Sequence, residues 1–221
     1  MRILCLHGAG TNSRIFEIQI AAVRYELGDN HDYDFVEGTI PWNMYPGVER
    51  IALKDEPVYA FFDPGTPDTG RLAFAHLQSY LRDEGPYDGV IAFSQAATMI
   101  LTYLVYIAEQ RQLGISIDIP FKFAVLMSIV QPPISYRALE NGKVEDASLE
   151  DLEGIVDIPT AHIWGALDVE PKGAAKASEF CQEDVRWTYV HERGHEVPGY
   201  GSRVDVTRAV NVIRRAVESA I

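Results

Sequence analysis

Ser94 stands where an apolar run, Gly89-Val-Ile-Ala-Phe93, gives way at once to a long helical run. A serine on such a sharp strand-to-helix turn has its hydroxyl thrust outward. The usual pattern for the turn is G-x-S-x-G, whose small residues let strand and helix pass closely. Here the segment reads Ala92-Phe93-Ser94-Gln95-Ala96. Alanine keeps most of the clearance but adds a β-carbon on each side, and a serine before a helix is also an ordinary N-cap. A hydroxyl is a poor nucleophile without a base. Of six histidines the last, His195, lies in a Gly- and Pro-bearing loop, Glu192-Arg-Gly194-His195-Glu-Val-Pro198, after the final strand-like run. His191 is the rival, close enough to that run to be tied into a sheet edge. An orienting acid should follow the preceding strand, and Ala161-His-Ile-Trp164 leads into Gly165-Ala-Leu-Asp168. Glu170 is the alternative; Asp157 precedes its strand and falls at the wrong end of a sheet. Serine, aspartate and histidine in this order support acyl transfer through a serine ester.

That chemistry needs two backbone N–H groups aimed at the oxyanion; losing one typically costs roughly 2.7–4 kcal/mol of transition-state stabilisation. The amide of Gln95, next after the serine, is the expected first donor. The second should come from the loop after an early strand, and Leu6-His7-Gly8-Ala9-Gly10 supplies one, with Ala9 as the assigned donor. Trp42, Met44, Tyr45, Phe61 and Phe62 are candidate pocket walls, although buried aromatics are commonly core.

These residues need a scaffold that gathers them. Short apolar runs at Arg2–Leu6, Tyr33–Val36, Gly89–Phe93, Phe121–Met127, Ile158–Trp164 and Val185–Val190 read as strands. Asn12–Leu27, with Asn12 or Ser13 as cap, and Gly70–Glu84, Gln95–Leu113, Lys172–Cys181 and Val204–Ala220 read as helices. The alternation predicts an α/β fold with a mostly parallel sheet and helices on both faces. Ligands then sit at the carboxyl ends of the strands, where Ser94, Asp168 and His195 fall. Residues 1–221 are expected to form a single domain. Segments 38–60 and 131–154 lack a clear period and are candidate lid segments.

The chain has 221 residues, 47% hydrophobic and 23% charged, enough for one sizeable core and unlike a disordered segment. A formal net charge of −13, with no lysine or arginine run to offset it, argues against nucleic acid and anionic membranes as partners. Cys5 and Cys181 make no disulfide framework, and Cys5 is expected as a buried thiol. The N-terminal apolar run is too short for a signal-peptide core. No segment approaches the ~18 apolar residues of a membrane span, so a cytoplasmic address is the default.

Leu4-Cys-Leu-His-Gly8, Asn12-Ser13, Phe16, Gln19 and Phe35-Val-Glu-Gly38 are joined by Gly85-Pro-Tyr-Asp-Gly-Val-Ile-Ala-Phe-Ser-Gln95, Gly165-Ala-Leu-Asp168 and His191-Glu-Arg-Gly-His-Glu-Val-Pro198. Over nearly its whole length the chain resembles the fungal serine hydrolases called FSH, relatives of the human ovarian-cancer-associated serine hydrolase, several of which release polyketide products. The resemblance implies an α/β-hydrolase fold, with Ser94, Asp168 and His195 in the catalytic positions. It implies esterase or thioesterase activity without a metal or organic cofactor. The substrate class would be a small-molecule acyl ester or thioester, with an acyl carrier protein among the partners a thioester allows. The family pattern at the nucleophile is G-F-S-Q-G, from which this chain departs at Ala92 and Ala96.

Two other readings compete. Gly8-Ala-Gly10-Thr-Asn-Ser13 follows a strand and opens a helix, a G-x-G-x-x-G dinucleotide fingerprint missing its third glycine, with Glu37 placed to meet a ribose. The two alanines also motivate a non-catalytic ligand-binding protein of the same fold, since fold alone does not establish activity. Oligomeric state and acyl group are not legible.

Overall fold

In the first strand, Ile3 and Cys5 pack into one apolar cluster while Leu4 and Leu6 pack into another. A strand buried on both sides is what a parallel sheet covered by two helical layers requires. The computed structural model describes residues 1–199 and 201–221. Its first elements are β1 (Arg2–Leu6), α1 (Ser13–Gln19), α2 (Ala21–Leu27), β2 (Asp32–Val36), β3 (Ile40–Pro41), β4 (Tyr59–Ala60), α3 (Pro67–Glu84), β5 (Gly89–Phe93) and α4 (Gln95–Gln112). There follow β6 (Phe123–Met127), α5 (Tyr136–Glu140), α6 (Leu149–Leu152), β7 (Thr160–Gly165), α7 (Pro171–Ser178), β8 (Arg186–His191) and α8 (Arg203–Ser219).

Six strands form one sheet in the order β2-β1-β5-β6-β7-β8, every pair parallel. One face carries α1, α2 and α8, through Phe16, Ile20, Val23, Val210 and Ile213. The other carries α3, α4 and α7, through Phe74, Leu77, Ile100, Leu104 and Ala177. The expected α/β sheet with helices on both faces is what the chain forms. The single helix expected over Asn12–Leu27 is two, broken at Ile20. The break leaves Phe16, Ile20 and Val23 on the sheet while Ile15 packs with Val48 and Val58 of the next loop. Asn12 is the cap, its side chain accepting from the Ile15 amide at 2.8 Å. Helix α3 starts three residues earlier than expected, at Pro67, a residue pre-set for the first helical position.

Segment 38–60 is folded onto the body. Strands β3 and β4 pair antiparallel, and a short 3-10 turn covers Val48–Arg50. The Glu56 carboxylate accepts from Arg14 Nε at 2.7 Å, Asn12 Nδ2 at 2.9 Å and the Leu53 amide at 2.6 Å, clamping the loop to α1. Segment 131–154 carries α5 and α6. Tyr136 of α5 lies 4.2 Å from the Tyr106 ring of α4 and 5.4 Å from the Phe74 ring of α3, centroid to centroid. Both cysteines are free and buried, and burial pushes the Cys181 thiol up to about 12. Among the described residues no helix is long and apolar enough to cross a membrane.

The Arg14 guanidinium holds the Glu56 carboxyl down to about 2, against an ordinary value of 4.5 and against the opposing effect of burial. Because the folded value lies below the unfolded one, the clamp's contribution to stability is complete above about pH 4.5 and is lost as pH falls toward 2. Glu56→Gln is therefore expected to flatten the acid limb. Chemical denaturation at pH 5 and pH 3 should show a smaller fall in stability for the variant than for the wild type. An equal fall would mean that Glu56 is not a coupled group.

Candidate active site

Strand β5 ends in the central part of the sheet, and Ser94 follows it at φ 56° and ψ −119°, the left-handed side of backbone space that side chains rarely adopt. Its amide donates to Met127 O of β6 at 2.8 Å and its carbonyl accepts from the Thr98 amide at 3.1 Å. The turn forms with alanine at both flanking positions: Ala92 and Ala96 are fully buried in the cluster beneath it. The extra β-carbons have become core packing.

Ser94 Oγ lies 2.9 Å from His195 Nε2, and His195 Nδ1 lies 2.9 and 3.1 Å from the two carboxylate oxygens of Asp168. The three residues come from the loops after β5, β8 and β7. Asp168 is buried, which works to raise its pKa, but hydrogen bonds from His195 and the Val169 amide outweigh burial and hold the carboxyl below the usual range. It is therefore a carboxylate at neutral pH. The His195 ring lies between Phe93 and Tyr45, at 5.0 and 5.3 Å between centroids. Gly165 is the close-approach point: a β-carbon there would collide with the backbone carbonyls of Arg193 and Gly194, in the loop that carries His195.

The competing assignments find other places. His191 is the last residue of β8, buried and lowered in pKa by that burial, and its carbonyl accepts from the Ala166 amide at 2.7 Å. It is part of the sheet edge. Glu170 is exposed at the start of α7, and Asp157 faces Arg111 at 3.6 Å.

The loop after β1 passes close over Ser94. A β-carbon on Gly8 would lie 3.1 Å from Ser94 Cβ and 2.9 Å from the Phe93 ring. Gly10 has φ 75° and is threaded between neighbours, its amide donating to Tyr59 O at 2.9 Å and its carbonyl accepting from the Tyr45 amide at 3.0 Å. Among the described residues neither the Ala9 nor the Gln95 amide has a hydrogen-bond partner. The glycines that suggested a dinucleotide loop thus serve close packing. The start of α1, where a pyrophosphate would sit, is taken by Glu37, whose carboxylate accepts from the Ser13 amide at 3.0 Å and hydroxyl at 3.1 Å. Among the described residues no group of three His, Cys, Asp or Glu side chains is placed to hold a metal.

Ser94 opens onto a cavity of about 480 Å³ walled by Trp42, Met44, Tyr45, Phe62, Val130 and Val169. Four of the five expected wall residues are there; Phe61 is not. It lines a separate cavity of about 190 Å³ between the sheet and α3, with its ring 4.8 Å from that of His7. Neighbouring residues of extended chain face opposite ways, and the Gln95 side chain decides which faces where. Its Oε1 accepts from the Phe61 amide at 2.9 Å and its Nε2 donates to Phe62 O at 2.8 Å. Sequence reasoning used only the Gln95 backbone and missed this second role. It also missed Val130 and Val169, which the rule that ligands sit beyond strand ends would have found, since they follow β6 and β7.

Residues 1–205 match the family described as Serine hydrolase (FSH1). The chain is 35% identical to "Esterase FPY3" of Fusarium mangiferae over all of its own length and 97% of that protein. It is 29% identical to "Hydrolase phiM" of a fungal species (strain ATCC 74256) over 99% of its length and 94% of that protein. Among solved structures it superposes on Arabidopsis thaliana SOBER1 with a TM-score of 0.63 at 15% identity, covering 98% of this chain and 99% of that one. The Bacillus cereus carboxylesterase gives 0.56 at 15% identity, over 96% and 87% of the two chains. These likenesses establish the α/β-hydrolase fold.

Gln95→Ala should unpin Phe61–Phe62 while keeping the backbone amide. Losing these two hydrogen bonds is expected to lower stability by about 2 kcal/mol in urea denaturation and to raise KM more than it lowers kcat. Unchanged stability would show that the side chain does not hold the wall. The sequence match over most of its length places the chain in the FSH1 serine hydrolase family.

Proposed function

We propose that the protein hydrolyses an acyl ester or thioester in two steps, with Ser94 as nucleophile, His195 as general base and acid, and Asp168 as the group that orients and stabilises the imidazole. The observation that carries this reading is the unbroken hydrogen-bonded line from Ser94 Oγ through His195 to a buried carboxylate. In the first step the Ser94 Oγ–carbonyl carbon bond forms and its proton passes to His195 Nε2. The tetrahedral oxyanion faces the Ala9 and Gln95 amides. Collapse breaks the bond to the leaving oxygen or sulfur, which takes the proton from His195. In the second step His195 removes a proton from water as the hydroxide adds to the acyl carbon, and His195 then returns that proton to Ser94 Oγ as the Ser94–acyl bond breaks, giving the free acid and the resting serine.

The acyl chain lies in the cavity walled by Trp42, Met44, Phe62, Val130 and Val169. Segment 38–60 supplies much of that wall and is the proposed lid; segment 131–154 contributes Gln131 at its edge. Family resemblance and the fungal relatives support release of an acyl or polyketide product in secondary metabolism, with an acyl carrier protein as one way of presenting a thioester. The proposed setting is the cytoplasm, a reducing compartment that suits two buried free thiols.

The test is steady-state kinetics on a panel of acyl esters and thioesters. Ser94→Ala is expected to lower kcat by roughly 10⁴-fold or more with an unchanged circular dichroism spectrum. A near-normal rate in the folded variant would refute the mechanism.

A further inference from the structure

We infer that the leaving group of the substrate is anionic and is read by Arg50 in a second groove that meets the acyl cavity at Ser94. This rests on the hydrolase reading above and adds the substrate's other half. The groove, of about 520 Å³, shares Ala9, Tyr45, Pro46, Ser94 and His195 with the acyl cavity and continues from them along Thr11, Ile18 and Gln19 at α1 and Val48, Arg50 and Ile51 at the 3-10 turn. Beyond the shared residues the two differ. The acyl side is walled by Trp42, Met44, Phe62, Val130 and Val169, whereas the second groove is formed by the His195 loop together with Ile18, Val48 and Ile51 and the polar Thr11, Gln19 and Arg50.

Proton transfer decides which half of the substrate goes where. The atom that departs takes its proton from His195 Nε2, so the leaving group must lie on the imidazole side. His195 borders both spaces, but its loop neighbours Arg193, Glu196 and Val197 line only the second groove, which is the leaving-group side in this inference. The acyl chain takes the apolar side.

The charged side chains of the groove, apart from the His195 site itself, are Arg50, Arg193 and Glu196. Arg193 is held by Glu196 at 3.1 Å and by Asp205 at 3.8 Å. Arg50 makes no ion pair among the described residues and is exposed. Its backbone is fixed, because it closes the 3-10 turn whose Val48 is buried against Ile15 and Val58. In a chain of net charge −13, an anionic substrate is repelled by the molecule as a whole. An uncommitted guanidinium beside the leaving-group side of the nucleophile is the local exception. The chemistry that fits is a thiol or alcohol bearing phosphate or carboxylate.

Three hexanoyl thioesters with the same scissile bond test this: coenzyme A, which carries phosphates, 3-mercaptopropionate, which carries a carboxylate, and neutral N-acetylcysteamine. The readout is kcat/KM for each anionic substrate divided by that for the neutral one. Arg50→Gln is expected to lower this ratio about fivefold and Arg50→Glu about tenfold or more, chiefly through KM, as befits an exposed charge contact. Raising salt should shrink the wild-type ratio and leave that of Arg50→Gln nearly flat. Arg215→Gln, on α8 outside both cavities, makes the same charge change and should hold the ratio within about twofold. A fall confined to coenzyme A assigns a phosphate, and one confined to mercaptopropionate assigns a carboxylate. Ratios in Arg50→Gln equal to those of the wild type or of Arg215→Gln, with hydrolysis still dependent on Ser94, would overturn this inference and leave the hydrolase reading standing. Absence of Ser94-dependent hydrolysis of all three would overturn this inference, and if no acyl ester is hydrolysed either, the hydrolase reading falls with it.

Discussion

Ser94 is held at φ 56°, ψ −119°, a conformation that costs of order 1–3 kcal/mol for a residue with a side chain, and the rest of the site is arranged around that constraint. Two backbone hydrogen bonds hold the turn, to Met127 in the neighbouring strand and from Thr98 in the following helix. Its flanks, Phe93 and Gln95, are both buried. The return on the strain is geometric. The hydroxyl stands clear of the sheet, the Gln95 amide is left without an intrahelical partner, and the loop after β1 can cross within van der Waals distance because residue 8 is glycine.

The parallel register of the sheet does the gathering. Ala9 follows β1, Ser94 follows β5, Asp168 follows β7 and His195 follows β8. Since all these strands run the same way, residues 101 apart in sequence meet in one hydrogen bond. Burial then sets the electrostatics. Burial works to raise the Asp168 pKa, and hydrogen bonds from His195 and the Val169 amide outweigh it and hold the carboxyl below its usual range, so the same bonds that orient the imidazole favour a charged partner. Ser94 lies where an apolar cavity meets a groove of mixed lining that carries Arg50, Arg193 and Glu196.

The sheet and the hydrogen-bonded line were legible in the sequence because each is a local signal. Strand–Ser94–helix, Asp168 after one strand and His195 after the next are patterns of short range, and the apolar periods that flank them are strong. What was not legible depends on contacts between distant segments. The break at Ile20 arises because α1 serves both the sheet and the 38–60 arm. Phe61 and Phe62 are adjacent, aromatic and equivalent as sequence. Only the Gln95 side chain, 33 and 34 residues away, turns one into the cavity and the other toward His7. The alanines at 92 and 96 looked like damage to a glycine motif. In the folded chain the sheet and helix have room for both methyl groups beneath the turn.

The most direct test of the central claim, that Ser94 is an activated nucleophile driven by the His195–Asp168 pair, is labelling with a fluorophosphonate followed by intact mass and peptide mapping. The account predicts a single adduct on Ser94 of the wild type, and labelling slowed by roughly 10³-fold or more in Asp168→Asn, which holds the imidazole in the wrong tautomer. An adduct on another residue, no adduct on the folded wild type, or equal labelling rates in the two proteins would contradict it.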